Sequence, residues 1–480
     1  MAEPTDLSPF EWLARLGPKL VERRPKIDYW RRYYEGHHDL PAGPSQHKEA
    51  FMRFQKKART NLCKLAAESM VHRMRVVGYR DAGSRSQTDN PVWRLWQQAR
   101  MDARQFGLWR KASHLGSSYL IVGVDPRDSS RPLVTIEGPD TVIVECDPAD
   151  PMRRLAALRL WHDSIANRWM ATVYLPGQRH HWQSAKETKK ASGRISWRPE
   201  AWRKRDLPTR SLPEVPVIPF VNADEGEEGA AEFDVGIDVQ DRLNLTLLNR
   251  LSAERYAAYR QNALLNYVPD EDPVTGEKLA PWKPGTDQIW TVPPGEPGDP
   301  EPKMVSLPQT DTSQMLQAVE ADMRAFAAVT LTPVYYLPGD LINISADSVA
   351  ALDAGHVSKI EQRHAQYGEG LEEALSLMAH VAGLDLDLSS SEVVWARPEN
   401  FNPAQMADYA TKLRGAGYPL PIVAERIGDT PQQVAQLRSE MAADSIRTRL
   451  SGAGQRQAAP GGASADTRGE QLELGSGEQE

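Results

Sequence analysis

Residues 311–382 read DTSQMLQAVEADMRAFAAVTLTPVYYLPGDLINISADSVAALDAGHVSKIEQRHAQYGEGLEEALSLMAHVA, and the spacing of apolar residues along this stretch decides the fold. From Thr312 to Ala328, the side chains Met315, Leu316, Val319, Met323 and Phe326 recur at three- and four-residue steps, which is one face of a helix. The helix is expected to stop before Leu331-Thr332-Pro333, because proline disfavours helical geometry in the residue before it. Pro333 to Asn343 has no period and carries the turn signal Pro338-Gly339. Ser345 has the form of an N-cap, with Asp347 in the first turn, where negative charge suits the helix dipole. Behind it Val349, Leu352, His356, Ile360, His364, Tyr367, Leu371, Leu375 and Met378 keep a helical step for about thirty residues, well beyond an ordinary globular helix. Gly368 and Gly370 inside that run would allow a bend. Helix, irregular loop, long bent helix is the unit the other segments support. Taken alone, the pattern also fits a helical hairpin in an ordinary core.

Upstream, Gly236-Ile237-Asp238 opens a helix predicted to run to about Leu265. Asp238 and Asp241 sit in its first turns and Arg250, Arg255 and Arg260 in its second half, in the sense the dipole favours. Leu243, Leu247 and Leu251 form a narrow seam, suited to packing against neighbouring helices of a ring. Asn266 to Leu307 is rich in proline, glycine and acid, with strand candidates at Gln288 to Val292 and Met304 to Ser306. It is too long for a connection and too poor in apolar residues for a core, so a small subdomain ordered by neighbouring subunits is expected. Downstream, Val393-Val394-Trp395 reads as a short strand. Asn402-Pro403 and Thr430-Pro431 each supply an N-cap and a first-position proline, for helices Pro403 to Leu413 and Pro431 to Ala442. From Ser451 the tail is Gly, Ala, Gln, Ser and Glu, and disorder is expected.

At the other end, Ser8-Pro9-Phe10-Glu11 is a capping-box start for a helix to Leu16, and a second helix, Ile27 to Tyr34, ends at Glu35-Gly36. Leu62, Leu65, Ala66 and Met70 make a helix face on which Cys63 is a packing residue. Val76-Val77 reads as a short strand. Asn90-Pro91 starts a helix with Val92, Leu95, Trp96, Ala99, Ala103 and Phe106 inward, ending near Gly116. Then the period becomes two. Tyr119 to Val124, Leu133 to Ile136, Thr141 to Cys146, Ala157 to His162, Trp169 to Leu175 and Arg179 to Gln183 read as strands of an antiparallel meander. Val215 to Phe220 is a last strand, which Pro216 and Pro219 confine to an edge. Lys186 to Arg210 is basic and carries Trp197 and Trp202. That composition suits nucleic acid, and more readily a solvated loop at a subunit contact. Asn222 to Glu232 is an acidic linker. His37-His38 cannot both face one metal from a helix, and His180-His181 reads as a polar strand face.

Several of these stretches resemble one family. Thr332-Pro333-Val334-Tyr335-Tyr336-Leu337 followed by Ser345-Ala346-Asp347-Ser348 is similar to a signature of tailed-phage portal proteins, in particular the branch from phages of actinobacteria. Tyr33-Tyr34-Glu35-Gly36-His37-His38-Asp39-Leu40, the run Asn61-Leu62-Cys63 with Arg73 and Gly78, the helix positions Asp241, Asn244, Ser252 and Arg255, and Gly417 to Thr430 resemble other portal stretches in the same order. The resemblance covers most of residues 20–442, and the order of its parts carries more than any one motif.

It implies an α+β portal fold. The parts are a wing (residues 1–235), a first stem helix (236–265), a clip (266–307), a second stem helix (308–329), a tunnel loop (330–344), a long wing or crown helix (345–382), crown helices (383–445) and a disordered tail (446–480). It implies a ring, usually dodecameric, at one capsid vertex, assembled in the host cytoplasm. Duplex DNA would enter through it, driven by the terminase large subunit, and leave through it into the tail. The head-tail adaptor and the major capsid or scaffolding protein would be further partners. The tunnel loop would bring Thr332, Tyr335, Tyr336, Asp340 and Asn343 to the DNA channel, and the clip would offer Trp282, Lys283 and Trp290 to terminase and adaptor. No cofactor, metal or catalytic residue is implied.

The bulk properties agree. With 480 residues a multi-domain chain is expected. The net charge of −8 argues against a protein that grips DNA by neutralising phosphates, and suits a channel wall along which duplex must slide. Within Thr330 to Ile344 there is no Lys or Arg, and Asp340 is the one charge, so steric contact with DNA is expected there. Two cysteines, Cys63 and Cys146, are too few for a disulfide framework or structural zinc, and a reducing cytosol is the expected place of synthesis. No secretory signal or membrane-length apolar run is read. The thirteen tryptophans point to aromatic anchors at helix packing or subunit contacts. There is no P-loop, G-x-S-x-G or H-E-x-x-H, and Asp270-Glu271-Asp272 lacks calcium-loop spacing. The rival readings are a metal-dependent nuclease using the 186–210 stretch, which needs a carboxylate cluster that the sequence does not display, and an unrelated structural assembly protein.

Overall fold

The computed structural model describes residues 7–40, 55–80, 90–188, 195–207, 212–223, 228–257, 262–266, 275, 300–301, 303–306, 312–337, 346–386, 388–399 and 403–456. The chain divides into two compact units, residues 1–83 with 91–400, and 84–90 with 401–480.

The first unit opens with α1 (Pro9–Glu22), started by the Ser8–Glu11 capping box, and α2 (Arg24–Glu35), stopped by Gly36 in the left-handed conformation at φ 74°. The first helix outruns the expected Leu16 because Leu20 is fully buried beside Leu13 and Leu16 on the same face. After α3 (Leu62–Val71) and β1 (Val76–Arg80) come α4 (Pro91–Gln98) and α5 (Met101–Leu115). These two are a correction to the single helix expected from Pro91 to Gly116. Arg100 adopts a left-handed conformation at φ 56°, which breaks the helix and resets its phase. Met101, Gln105, Leu108, Trp109 and Ala112 therefore face inward, and Ala103 is exposed.

Eight strands follow: β2 (Ser117–Asp125), β3 (Asp128–Glu137), β4 (Val142–Asp147), β5 (Asp150–Asp163), β6 (Arg168–Leu175), β7 (Gln178–Ser184), β8 (Trp202–Arg205) and β9 (Val217–Val221). They are not one meander. A three-stranded sheet has the order β3-β2-β9, and a five-stranded antiparallel sheet the order β4-β5-β6-β7-β8. The last strand is an edge, with Pro219 opposite Tyr119, as its prolines require. The alternation in β6 separates two cores. Trp169, Ala171 and Val173 pack on Trp12, Leu13, Leu16 and Leu20 of α1, while Tyr174 on the other face joins Tyr119, Ile121 and Val217 of the three-stranded sheet.

The basic stretch contributes β8 instead of a solvated loop. Trp202 is buried and Trp197 stacks on it at 6.0 Å, against α1 at Gly17, where a Cβ would come within 2.3 Å of the Trp197 ring.

Then come α6 (Ile237–Ala257), β10 (Asn262–Leu265), β11 (Lys303–Ser306), α7 (Ser313–Thr330), α8 (Ala346–Val381) and β12 (Glu392–Trp395). The expected first stem helix is thus shorter than 236–265. Residues 262–265 are a strand, paired antiparallel with 303–306 in the register Asn262 to Ser306. Leu243 of α6 is buried within this chain against Val319 and Phe326 of α7, so part of the leucine seam serves the helix pair itself.

The 36-residue α8 is the spine of the unit. Tyr367 stacks on Trp109 at 5.5 Å and meets Phe220 edge-on, and His364 stacks on Trp395 at 4.3 Å. Gly370 lies where the helix crosses β9, and a Cβ there would sit 3.1 Å from Phe220, so close approach accounts for this glycine without a bend. β12 pairs with β1, Val76 opposite Trp395, closing the unit from its two ends.

The second unit holds α9 (Pro403–Gly415), α10 (Leu420–Ile427) and α11 (Pro431–Arg456). Thr430 and Gln433 cap α11 reciprocally, Gln433 N donating to Thr430 Oγ1 at 3.3 Å and Thr430 N to Gln433 Oε1 at 2.8 Å. α10 was not foreseen. α11 runs beyond the expected tail start to Arg456, and residues 457–480 lie outside the described residues.

Candidate functional site

Two polar clasps hold the start of α6 and the base of the loop that follows α7, and both are built from side chains distant in sequence. The first is neutral and grips the start of α6. Gln240 is fully buried, accepting from Leu62 N at 2.8 Å and donating to Thr60 O at 2.9 Å. One turn on, buried Asn244 accepts from Thr60 N at 2.9 Å and donates to His38 Nε2 at 2.8 Å. The His38 ring stacks on Tyr33 at 4.9 Å, whose hydroxyl donates to Asp241 at 2.8 Å. An acceptor at Nε2 requires a neutral imidazole, and burial together with the Arg59 cation pushes the His38 pKa down to about 4. Cys63, with its thiol pKa raised by burial, lies 3.9 Å from Gln240 Oε1 and is packing, not a nucleophile. The stretches around Tyr33, Asn61 and Asp241 that resembled separate motifs are thus one contact.

The second clasp is charged and grips the loop base. Arg73, carried between α3 and β1, is 8% exposed; its Nη1 donates to Asp353 Oδ2 at 2.6 Å and to Pro398 O at 3.3 Å. Its Nη2 donates to the hydroxyls of Tyr335 at 2.6 Å and Tyr336 at 2.9 Å. The Tyr335 hydroxyl donates on to Asp353 Oδ1 at 2.9 Å. Burial and that carboxylate push the Tyr335 pKa up to about 12, so it stays a donor. Along the same helix, His356 Nδ1 donates to Leu331 O at 2.9 Å and Lys359 Nζ to Thr330 O at 3.3 Å, while Lys359 also pairs with buried Glu232. Residues 353, 356 and 359 share one face of α8, so three successive contacts hold residues 330–335 along it.

Of the residues expected at a DNA channel, Thr332 is buried with its hydroxyl 2.8 Å from that of Thr330, and Tyr335 and Tyr336 are half-buried with both hydroxyls turned onto Arg73. Asp340 and Asn343 lie outside the described residues, as do Trp282, Lys283, Trp290 and the strand candidate at 288–292. Arg73, Asp353 and Gln240 were not singled out from sequence as site residues. Their signal is weak but present: an aspartate on the inward face of α8, and an arginine between the apolar Val71 and Met74 before β1. Among the described residues no group of three or more His, Cys, Asp or Glu is arranged to hold a metal, and no helix is long and apolar enough to cross a membrane.

α6 and α7 also leave apolar side chains outside this chain's core, among them Leu245 on α6 and Leu316 and Val329 on α7, each more than 40% exposed. Such side chains, distributed along both helices, are what burial between copies would use.

The chain is similar to the portal protein of Mycobacterium phage D29, with 26% identity over 371 residues, 74% of this chain and 72% of that one. It is similar to the portal protein of Mycobacterium phage L5 at 24% over 372 residues, with the same coverage. Among solved structures it is similar to a chain in the neck of a native GTA particle computed with C12 symmetry. The identity is 13%, the coverage 81% of this chain and 95% of that one, and the TM-score 0.41, too low to carry an argument. The profile of the family described as phage portal protein, SPP1 Gp6-like, matches residues 15–443, which takes in both clasps and all of α6, α7 and α8. On that match, in agreement with the actinobacteriophage resemblance of its motifs, the chain belongs to the phage portal protein family.

Proposed function

We propose that the chain assembles into a ring, of twelve copies as the family resemblance implies, at one vertex of a phage capsid. Genomic duplex DNA is packaged through its central channel by the terminase and later ejected through it, and the head-tail adaptor docks on it. The observation that carries this is the family match over residues 15–443. It runs continuously across α6, the 266–307 insertion, α7, the loop and α8. The role is structural: the principal polar groups of both clasps, Gln240, Asn244, Arg73 and Asp353, are spent on partners within the chain.

Within that reading, the channel-facing segment is the part of the 330–344 loop beyond Leu337, with Asp340 and Asn343. Thr332, Tyr335 and Tyr336 form its base. The strand pair of β10 and β11 is the root of the clip, whose Trp282, Lys283 and Trp290 are offered to terminase and adaptor, and residues 1–235 and 383–445 are wing and crown. Capsid or scaffolding protein meets the ring from outside. Light scattering and negative-stain imaging of the purified protein test the assembly: a mass many times that of the monomer and a particle with a central hole are expected. A monodisperse monomer across a range of salt overturns it. Replacing residues 338–343 with a Gly-Ser link should leave rings intact and block packaging, and normal packaging by such rings would remove the loop from the channel.

A further inference from the structure

We infer that Arg73 is a positioning residue for the channel loop: held against Asp353, its guanidinium receives the hydroxyls of Tyr335 and Tyr336 and so fixes where the loop leaves the body of the protein. The inference rests on the proposed channel role of that loop and adds the device that sets its geometry.

Met74, beside Arg73, is fully buried; Val76 N donates to Gln105 Oε1 at 2.7 Å, and Ala396 N donates to Arg75 O at 2.7 Å. The backbone on its C-terminal side is therefore pinned to α5 and to the end of β12, and the guanidinium is presented from a fixed place. Its two terminal nitrogens do different work. Nη1 is spent on Asp353 and Pro398 O, and Nη2 is left to face two phenol oxygens. A planar fork can serve both directions at once, which a lysine ammonium on a flexible stem cannot.

The receiving side is equally constrained. Tyr335 and Tyr336 lie on a single 3-10 turn, Val334–Tyr336, entered through Pro333 and closed by the buried Leu337. Their rings meet edge-on at 5.0 Å, and the guanidinium lies 5.7 Å from the Tyr336 ring centroid. Two tandem aromatic side chains on a loop base would normally splay. Here both hydroxyls converge on one nitrogen, and Tyr335 bridges back to the same carboxylate that holds the arginine.

An ion pair needed for stability alone would not require the tyrosines. Arg73 and Asp353 already satisfy one another, so the hydroxyls add attachment of the loop base. The consequence is mechanical: displacement of the loop is transmitted through Arg73 to the junction of α3 and β1, and through Asp353 to α8. Releasing the hydroxyls frees the base without dismantling the charge pair.

The test compares full-length rings of the wild type, the Tyr335→Phe/Tyr336→Phe double variant and Arg73→Lys. Ring mass, hydrogen exchange at the Tyr336 and Leu337 amides, and packaging of cognate DNA are measured in parallel. Those amides bond to Pro333 O at 3.0 Å and Val334 O at 2.9 Å, so they report the 3-10 turn directly. Rings of unchanged mass are expected, with exchange faster by about tenfold or more in the double variant, which removes the three hydrogen bonds that the two hydroxyls make. Packaging should fall severalfold, and Arg73→Lys should reproduce the effect despite keeping its charge.

Unchanged exchange in the double variant overturns the tether. Wild-type behaviour of Arg73→Lys reduces the node to a plain ion pair and overturns the positioning role. Faster exchange with normal packaging also overturns it, since the base is then free and the loop works regardless. A wild-type chain that forms no ring sinks the channel reading instead, and that outcome is read from ring mass before any variant is compared.

Discussion

The two clasps solve the same mechanical problem with different chemistry. Around Gln240 and Asn244 every partner is neutral or a backbone group, each hydrogen bond is about 2.8 to 2.9 Å, and the contact joins the N-terminal helices to α6. Around Arg73 a buried charge pair is the centre, with Asp353 only 4% exposed, and the contact joins the junction of α3 and β1 to α8 and the loop base. A neutral clasp loses its bonds one at a time, each at modest cost. A buried charge pair is all or nothing, because removing one partner strands the other in low dielectric. α6 is therefore held by bonds that can be lost one at a time, whereas the ion pair at the centre of the second clasp is kept or lost whole, even where the tyrosine hydroxyls are released from it.

The sharpest way to break this contrast is Asp353→Leu. It leaves Arg73 buried without its carboxylate and should cost about 3–5 kcal/mol, read as a lowered denaturant midpoint at unchanged slope. Arg73→Met combined with Asp353→Leu should recover most of that loss, since replacing both members of a buried pair by apolar groups is often nearly neutral. If the double change is as damaging as the single one, the charge pair is not the centre of the clasp.

Asn244→Ala comes next. It removes an acceptor from Thr60 N and a donor to His38, and leaving those groups buried and unmet should cost about 1–3 kcal/mol. No single second substitution should restore it, because its partners include a backbone amide. A loss as large as that of Asp353→Leu would erase the distinction between the clasps.

How much of this was legible in the sequence depends on the range of the interaction. The helix starts at Ser8 and Thr430, the stop at Gly36 and the inward alternation of Trp169, Ala171 and Val173 are local consequences of residue type and were readable. The break at Arg100 was not, because nothing around Ala99-Arg100 supplies the glycine or proline that normally signals one. Pairing of β1 with β12 was hidden because each strand reads the same with any partner. Trp202 was misread because a basic neighbourhood dominated its setting, whereas the ring faces α1 and the charges face out. Tyr335 and Tyr336 stand out by resemblance, and their anchor does not. Arg73 and Asp353 look like surface charges until the fold brings them within 2.6 Å. Gly370 was read as slack in a helix, where the structure uses it for contact with Phe220.

The clasps should also part on pH. In the folded chain His38 is held near pKa 4 against an ordinary 6.5, so below about 6.5 the unfolded chain takes up a proton that the folded chain refuses. Its contribution is fully present above 6.5 and is lost as pH falls toward 4, with a slope of at most about 1.4 kcal/mol per pH unit. His181 and His364, also pushed down to about 4 by burial, add slopes of the same sign. His38→Gln keeps an acceptor for Asn244 and should flatten the stability profile between pH 6.5 and 4 by one histidine's share. An unchanged profile would mean that His38 is not held neutral.

The smallest effect on stability, and the finest probe of the neutral clasp, lies at Cys63. Its thiol meets Gln240 Oε1 at a long 3.9 Å, and that oxygen keeps its bond to Leu62 N in any case, so Cys63→Ala should shift stability by less than about 1 kcal/mol. The thiol is useful because it is shut in. Cys63 is fully buried and Cys146, on β4, only partly so, and burial pushes both thiols up, away from the reactive thiolate. Alkylation at pH 8 should therefore reach Cys146 first, with Cys63 reacting at the rate at which the clasp opens. Asn244→Ala should speed labelling of Cys63 and leave Cys146 unchanged, because only the former sits behind Gln240. Asp353→Leu should not give that selectivity, since its damage lies at the other clasp. Equal acceleration of Cys63 by both substitutions would show that the two clasps open as one unit, and the contrast between the neutral clasp and the charged one would fall with it.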